Sequence, residues 1–127
     1  MTRVRQIALI LLGAVLSTVA IAEGWPSRTV KLVVPFTAGS ATDIVARTLG
    51  QKLTDLWAQP VVVDNRPGAG ATIGEALVAH SPPDGYTLLV NSAAQAYNPS
   101  IYSNLTFDTH KDFINVAALA EIGRAHV

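Results

Sequence analysis

The feature that most constrains the fold is the run Val30-Lys31-Leu32-Val33-Val34-Pro35, followed at once by Phe36-Thr37-Ala38-Gly39-Ser40-Ala41-Thr42-Asp43. A nearly uninterrupted aliphatic run reads as a strand covered on both faces, the pattern of a parallel sheet. Beyond the Gly/Ser turn, Val45, Leu49, Leu53 and Leu56 recur at spacings of four, four and three, which places them on one face of a helix. Ser40-x-x-Asp43 forms a capping box at its start, with Asp43 facing the positive end of the helix dipole. A strand that enters a helix this way leaves backbone N–H groups without partners, and such groups hold an anion without any cationic side chain.

The alternation continues. Residues 29–35 are the expected first strand and 43–57 the first helix. Residues 60–64 carry Val61-Val62-Val63 as a second strand, and Gly68 and Gly70 lead into a second helix over about 71–80. Pro82-Pro83-Asp84-Gly85 is a turn signal before a third strand at 86–90. A short helix is expected to start at Asn98-Pro99-Ser100-Ile101-Tyr102, and a fourth strand is expected between Phe113 and Ala120. Strand–helix–strand repetition with short links predicts an α/β fold, a parallel sheet with helices on both faces. Ligands of such sheets bind beyond the carboxyl ends of the strands, where the 36–43 turn and the 91–95 loop both fall.

From those two loops we expect ligand contacts by Phe36, Thr37, Ala38, Gly39, Ser40, Thr42, Asn91, Ser92, Ala93 and Gln95. Asp43, Arg66 and Asn98 are expected to support the site structurally, since a carboxylate such as Asp43 repels an anionic ligand. Ser40 and Thr42 have a competing role as helix caps, and capping and anion binding coexist on one turn. Phe36 is either a ligand wall or core. Arg47 reads as an ion-pair or packing residue. His80, His110 and His126 show no metal-ligand spacing and read as surface residues.

Ahead of the first strand, Arg3 and Arg5 precede an uncharged run from Ile7 to Ala22 that closes with Ala20-Ile21-Ala22. A basic start, an apolar middle and a small-x-small end predict an export signal cleaved after Ala22. The absence of cysteine removes a lipid anchor, disulfides and thiol chemistry. Without the signal the chain carries seven basic and nine acidic residues, no polybasic surface, and therefore no expected nucleic-acid partner.

Enzyme readings are weak. Gly68-x-Gly70-x-x-x-Gly74 superficially resembles a dinucleotide fingerprint, but its last spacing is one residue too long and Arg66-Pro67 separates it from the strand. A hydrolase would need a Gly-x-Ser-x-Gly elbow, which the sequence lacks. No catalysis, cofactor or metal is expected.

Five linked motifs carry a resemblance: Val33-Val34-Pro35-Phe36-x-Ala38-Gly39-x-x-Thr42-Asp43-x-x-Ala46-Arg47, Gln59-Pro60-Val61-Val62-Val63-x-Asn65-Arg66-Pro67-Gly68-Ala69-Gly70, Pro83-Asp84-Gly85-Tyr86-Thr87-Leu88, Asn98-Pro99-Ser100-Ile101-Tyr102 and Lys111-Asp112-Phe113. In this order they resemble the Bug family, the TctC-like periplasmic substrate-binding proteins of tripartite tricarboxylate transporters. The resemblance implies the first lobe of a two-domain, type II-like Venus-flytrap receptor. It also implies a small carboxylate ligand (a di- or tricarboxylate, amino acid or aromatic acid), a membrane permease as partner, a periplasmic location and a monomer. The family usually has Gly-Gly where this chain has Gly39-Ser40, so Ser40 either narrows the turn or adds a hydroxyl to the site. A receptor that instructs a sensor kinase of a two-component system remains the alternative at this point.

The expected organisation is a signal at 1–22, the first part of the ligand-binding lobe at 23–120, and a non-native tail at 121–127. Glu121-Ile122-Gly123-Arg124-Ala125-His126-Val127 can be encoded by GAG-ATC-GGA-AGA-GCA-CAC-GTC, which reads through a common sequencing-library adapter. On that reading family members extend into a second lobe, and residues 23–127 alone are expected to fold poorly and to bind no ligand.

Overall fold

The structure is a computed structural model and describes residues 24–120; the expected signal at 1–22 and the tail at 121–127 lie outside the described residues. Strand β1 (Val30–Val34) is followed by helix α1 (Ala41–Trp57), β2 (Val61–Asn65), a single 3-10 turn (Ala69–Ala71), α2 (Thr72–Ala79), β3 (Thr87–Leu89) and α3 (Ala94–Ile101). The three strands are parallel in the order β2-β1-β3, with Leu32 level with Val63 on one side and with Leu88 on the other.

The aliphatic run places β1 in the centre. Val30, Leu32, Val33 and Val34 are all essentially inaccessible, each worth roughly 1.5–3 kcal/mol of apolar burial. Leu32 and Val34 point to α1 and form one cluster with Ala46 and Val90, flanked by Phe36, Val61, Val63 and Leu88. By strand alternation Val33 and Pro35 point the other way, and Pro35 lies under Gly74 of α2. The first crossover runs from β1 to one neighbour, and the second passes back over β1 to the other. Right-handed crossovers in opposite directions place α1 and α2 on opposite faces, as the contacts of each helix require.

Boundaries move by one to four residues for identifiable reasons. Helix α1 starts at Ala41, two residues before the expected start, because Ser40 is its N-cap and accepts the Asp43 N–H at 3.2 Å. Strand β2 runs one residue later than expected: Asn65 stands level with Val34, while Pro60 contributes its carbonyl to the Val30 N–H. Hydrogen bonds from Lys31 N to Tyr86 O and from Val90 N to Val33 O continue the β3 ladder one step beyond each end. Helix α3 starts four residues before Asn98, where the Ser92 hydroxyl accepts the Ala94 N–H.

The expected fourth strand does not form. Residues 113–120 join no sheet among the described residues, and Ile114 and Val116 are 91% and 82% exposed. The Phe113 ring stacks edge-on against Phe107 at 5.8 Å, and the chain beyond it meets no strand edge. An apolar run without a ladder partner has nowhere to place its N–H and C=O groups except water.

At the amino ends of the strands, Arg28 lies 4.0 Å above the Tyr86 ring and bonds Asp84 at 2.8 Å, and Trp25 stacks on Trp57. The carboxyl ends carry the two loops that the sequence singled out.

Candidate functional site

The strand order places a switch point between β1 and β3. The chain leaves β1 toward one face and β3 toward the other, the arrangement whose exit loops part to form a ligand crevice in sheets of this kind. The first loop is the 35–40 turn and the second is 90–93.

Asp43 organises the first loop. Its side chain is 2% exposed. Oδ2 accepts from Gly39 N at 2.8 Å and from Arg47 Nε at 2.9 Å, and Oδ1 accepts from Asn65 Nδ2 at 2.9 Å. Asn65 also donates to Phe36 O at 3.1 Å and accepts from Arg47 at 3.0 Å. One carboxylate thus ties the turn, the first coils of α1 and the end of β2 together. The Arg47 hydrogen bond, then those from Gly39 and Asn65, hold the Asp43 pKa at about 2, against an ordinary 3.8.

A depressed carboxylate pKa contributes stability above its unfolded value and loses it as pH falls through the folded value. The melting temperature should therefore drop between about pH 4 and about pH 2, and the drop should shrink in Asp43→Asn. A thermal scan across that range reads the difference, and equal acid sensitivity in both proteins would dismiss the network as a contributor.

The network leaves particular groups for a ligand. Gly39 N–H turns inward to Asp43, and Ser40 N–H bonds Thr37 O at 3.2 Å. What Gly39 contributes is its φ of +85°, the left-handed region that glycine enters without cost. Among the described residues, the amides of Ala38, Ala41 and Thr42 take no partner. Ala41 and Thr42 are the first two residues of α1, where about half a positive charge resides. Arg47 balances the Asp43 charge at ion-pair distance, so the dipole is left for an incoming anion. Ser40 Oγ is used as an acceptor by the cap, which leaves its hydroxyl proton free to donate. Thr37, Ala38 and Gly39 are exposed, Ser40 and Thr42 half-buried. Of the two roles open to Phe36, the structure displays core packing: its ring lies against the Leu32/Val34 cluster.

In the second loop, Ser92 and Ala93 are exposed and Gln95 lies in the first turn of α3. Asn91 has both ends of its amide committed internally, Nδ2 to Glu75 at 2.6 Å and Oδ1 to the Ser92 N–H at 2.8 Å. Asn98 is buried and donates to Glu75 and to Gly70 O. Arg66 bonds Asp64 through Nε and Val34 O through its amide, bracing the end of β1. The structure thus places Asp43, Asn98 and Arg66 in the scaffold around the two loops. Sequence reasoning missed two residues. The Ala41 amide is open because Ser40, not Thr42, is the cap, and Glu75 is fully buried in α2.

Among the described residues no group of His, Asp and Glu is placed to hold a metal, and His80 and His110 are exposed. A concavity lined by Pro99, Leu105, Phe107 and residues 108–110 lies beside the end of α3 and contains none of the expected ligand residues.

Comparison with known proteins gives one consistent result. The model of the family described as "Tripartite tricarboxylate transporter family receptor" matches residues 45–126. A UPF0065 protein from the tcbD-tcbE intergenic region of Pseudomonas sp. (strain P51) is 39% identical over 100 residues, covering 79% of this chain and 30% of the relative. BugT of Bordetella pertussis is 38% identical over 103 residues, covering 80% of this chain and 32% of that protein. Among solved structures, the periplasmic binding protein BugD superposes with a TM-score of 0.67 at 43% identity, over 70% of this chain and 30% of that one. MatC from Rhodopseudomonas palustris with bound malate gives 0.68 at 36%, over 75% of this chain and 33% of that one. R. palustris Rpa4515 with adipate gives 0.64 at 37%, over 68% of this chain and 29% of that one. The chain spans about a third of the length of the relatives it matches.

Proposed function

This chain belongs to the tripartite tricarboxylate transporter receptor family, and from that premise we propose that it supplies one wall of a periplasmic carboxylate site. The family and its structural neighbours are solute-binding proteins rather than enzymes. On this reading the chain is exported, loses residues 1–22, and serves a receptor that delivers its ligand to a membrane permease.

The observation that carries the proposal is the open pair of amides at Ala41 and Thr42, beside a turn in which the Gly39 and Ser40 amides are already satisfied. One carboxylate group accepts from those amides and from the Ser40 hydroxyl. Ser92 and Ala93 reach it from the other side of the crevice, directly or through ordered water, which bridges about as well as a direct bond. Thr37, Ala38 and Gln95 line the same opening. Gly39, Phe36 and Asn91 shape the two loops. The dipole of α1 selects for negative charge, worth about 0.3–1 kcal/mol where solvent-exposed and up to ~2 when partly buried. Closure of an opposing lobe moves the site toward the stronger limit by excluding water. Malate and adipate, the ligands of two neighbours, are dicarboxylates, and a small dicarboxylate is the class proposed here.

Thermal-shift and calorimetric titration of the full-length gene product with malate, succinate, adipate and their monoamides tests this. We expect saturable stabilisation by at least one diacid and a weaker response to the amide that lacks one negative group. A response to the monoamides equal to that of the diacids would contradict the charge-selecting turn.

A further inference from the structure

We infer that Glu75 is the positioning residue of the 90–93 loop, acting by fixing which way the Asn91 amide points. Its effect on binding rests on the carboxylate reading above; its effect on the loop does not.

Glu75 is 0% exposed on α2, and no cation among the described residues stands at ion-pair distance from it. Its two oxygens serve two amides. Oε1 accepts from Asn91 Nδ2 at 2.6 Å and Oε2 from Asn98 Nδ2 at 2.8 Å. Asn98 Nδ2 spends its second proton on Gly70 O at 3.0 Å. The side chain therefore joins α2, α3, the end of β3 and the turn before α2 at one buried point.

The chemistry of the neighbours makes this arrangement directional. A carboxylate oxygen accepts, and the Ser92 N–H can only donate. Asn91 satisfies both only with its NH2 toward Glu75 and its oxygen toward Ser92, where the bond measures 2.8 Å. With the Ser92 amide so engaged, the Ser92 hydroxyl accepts from Ala94 N at 3.3 Å and starts α3. Among the described residues the Ala93 amide takes no partner. Glu75 thus sets the loop that presents Ser92 and Ala93 without touching a ligand itself. Removing this buried carboxylate would take the acceptor from the half-buried Asn91 amide and one of two acceptors from the buried Asn98 amide.

A charge-swap pair tests the assignment. In Glu75→Gln the side chain keeps one acceptor for two donors, so either Asn91 or Asn98 loses its bond or flips, and a flipped Asn91 sets its NH2 against the Ser92 N–H. In Glu75→Gln combined with Asn91→Asp every bond is restored: the new amide at 75 donates to the new carboxylate at 91, which still accepts from Ser92. We expect hydrogen exchange across residues 90–95 of the full-length gene product to accelerate on the order of tenfold in the single variant and to return to the wild-type rate in the double. Affinity for malate or the tightest diacid should fall about tenfold in the single variant and stay low in the double, whose extra carboxylate stands in the loop.

If Glu75→Gln does not fold, the double variant alone decides: wild-type exchange supports the assignment, and a double that also fails to fold overturns it. Unchanged exchange across residues 90–95 in Glu75→Ala, which leaves an acceptor to neither asparagine, overturns it outright. Altered exchange with unaltered diacid affinity would keep the loop-shaping role and strike the loop from the carboxylate site. A wild type that binds no diacid would sink the preceding functional reading, with the exchange rates still deciding Glu75.

Discussion

Asp43→Ala should lower the melting temperature on the order of 10 °C and reduce carboxylate affinity by more than about tenfold. The side chain is buried and receives donors from Gly39, Arg47 and Asn65. Alanine removes the buried carboxylate that accepts from all three, and only Asn65 and Arg47 keep a second acceptor, Phe36 O and Asn65 Oδ1 respectively. The damage spreads along the network, because Asn65 also holds the Phe36 carbonyl and Arg47. The turn then loses the constraint that keeps Gly39 N–H pointing inward and the Ala41 and Thr42 amides outward. Asp43→Asn keeps one acceptor oxygen and should fall between wild type and alanine. Circular-dichroism melts and diacid titrations of both variants decide the point. An alanine variant that melts and binds like wild type would show that the turn holds its shape without Asp43.

The second large effect is expected at Gly74. A Cβ there would stand 2.8 Å from Pro35 Cβ, and 3.1 Å from both Pro35 Cα and Arg66 O. These are backbone or ring atoms at the sheet end and cannot retreat as a flexible side chain would. Gly74→Val must lift α2 from the sheet, at a cost of about 3 kcal/mol or more. It also draws Glu75 from Asn91 and Asn98 and displaces Pro35, so both loops deform together. Gly39 provides the contrast. Nothing lies within 4 Å of a Cβ at Gly39, but φ is +85°, so Gly39→Ala should cost only about 1–2 kcal/mol of backbone strain. Chemical denaturation of the two variants should rank Gly74→Val as clearly the more damaging, and the reverse ranking would refute the close-approach account.

These two positions also mark how far the sequence could be read. The aliphatic run of β1, the periodic leucines of α1 and the Ser40 cap are local signals, and strands and helices follow them within one or two residues. The strand order β2-β1-β3 is legible once crossovers are taken as right-handed and the helices as covering both faces. The capping box was read correctly in its first half, where Ser40 accepts from Asp43. In its second half Asp43 reaches one residue further back than the motif implies, to Gly39, because Ser40 N–H is already taken by Thr37. With Gly39 N–H so engaged, the open amides are those of Ala38, Ala41 and Thr42.

Glu75 was illegible for a different reason. An acid in a short helix reads as surface, and its partners Asn91 and Asn98 lie 16 and 23 residues away. Only the packing of α2 against β3 and α3 brings them together. The strand expected at 113–120 had the right composition, but pairing requires an edge, and none adjoins it among the described residues.

The most direct measurement is a crystal structure of the full-length gene product with a bound dicarboxylate. The account predicts one carboxylate group about 3 Å from the Ala41 and Thr42 amides, with Asp43 still bonded to Gly39, Arg47 and Asn65. A ligand whose acid groups all lie against other elements, with those two amides facing only water, would contradict it.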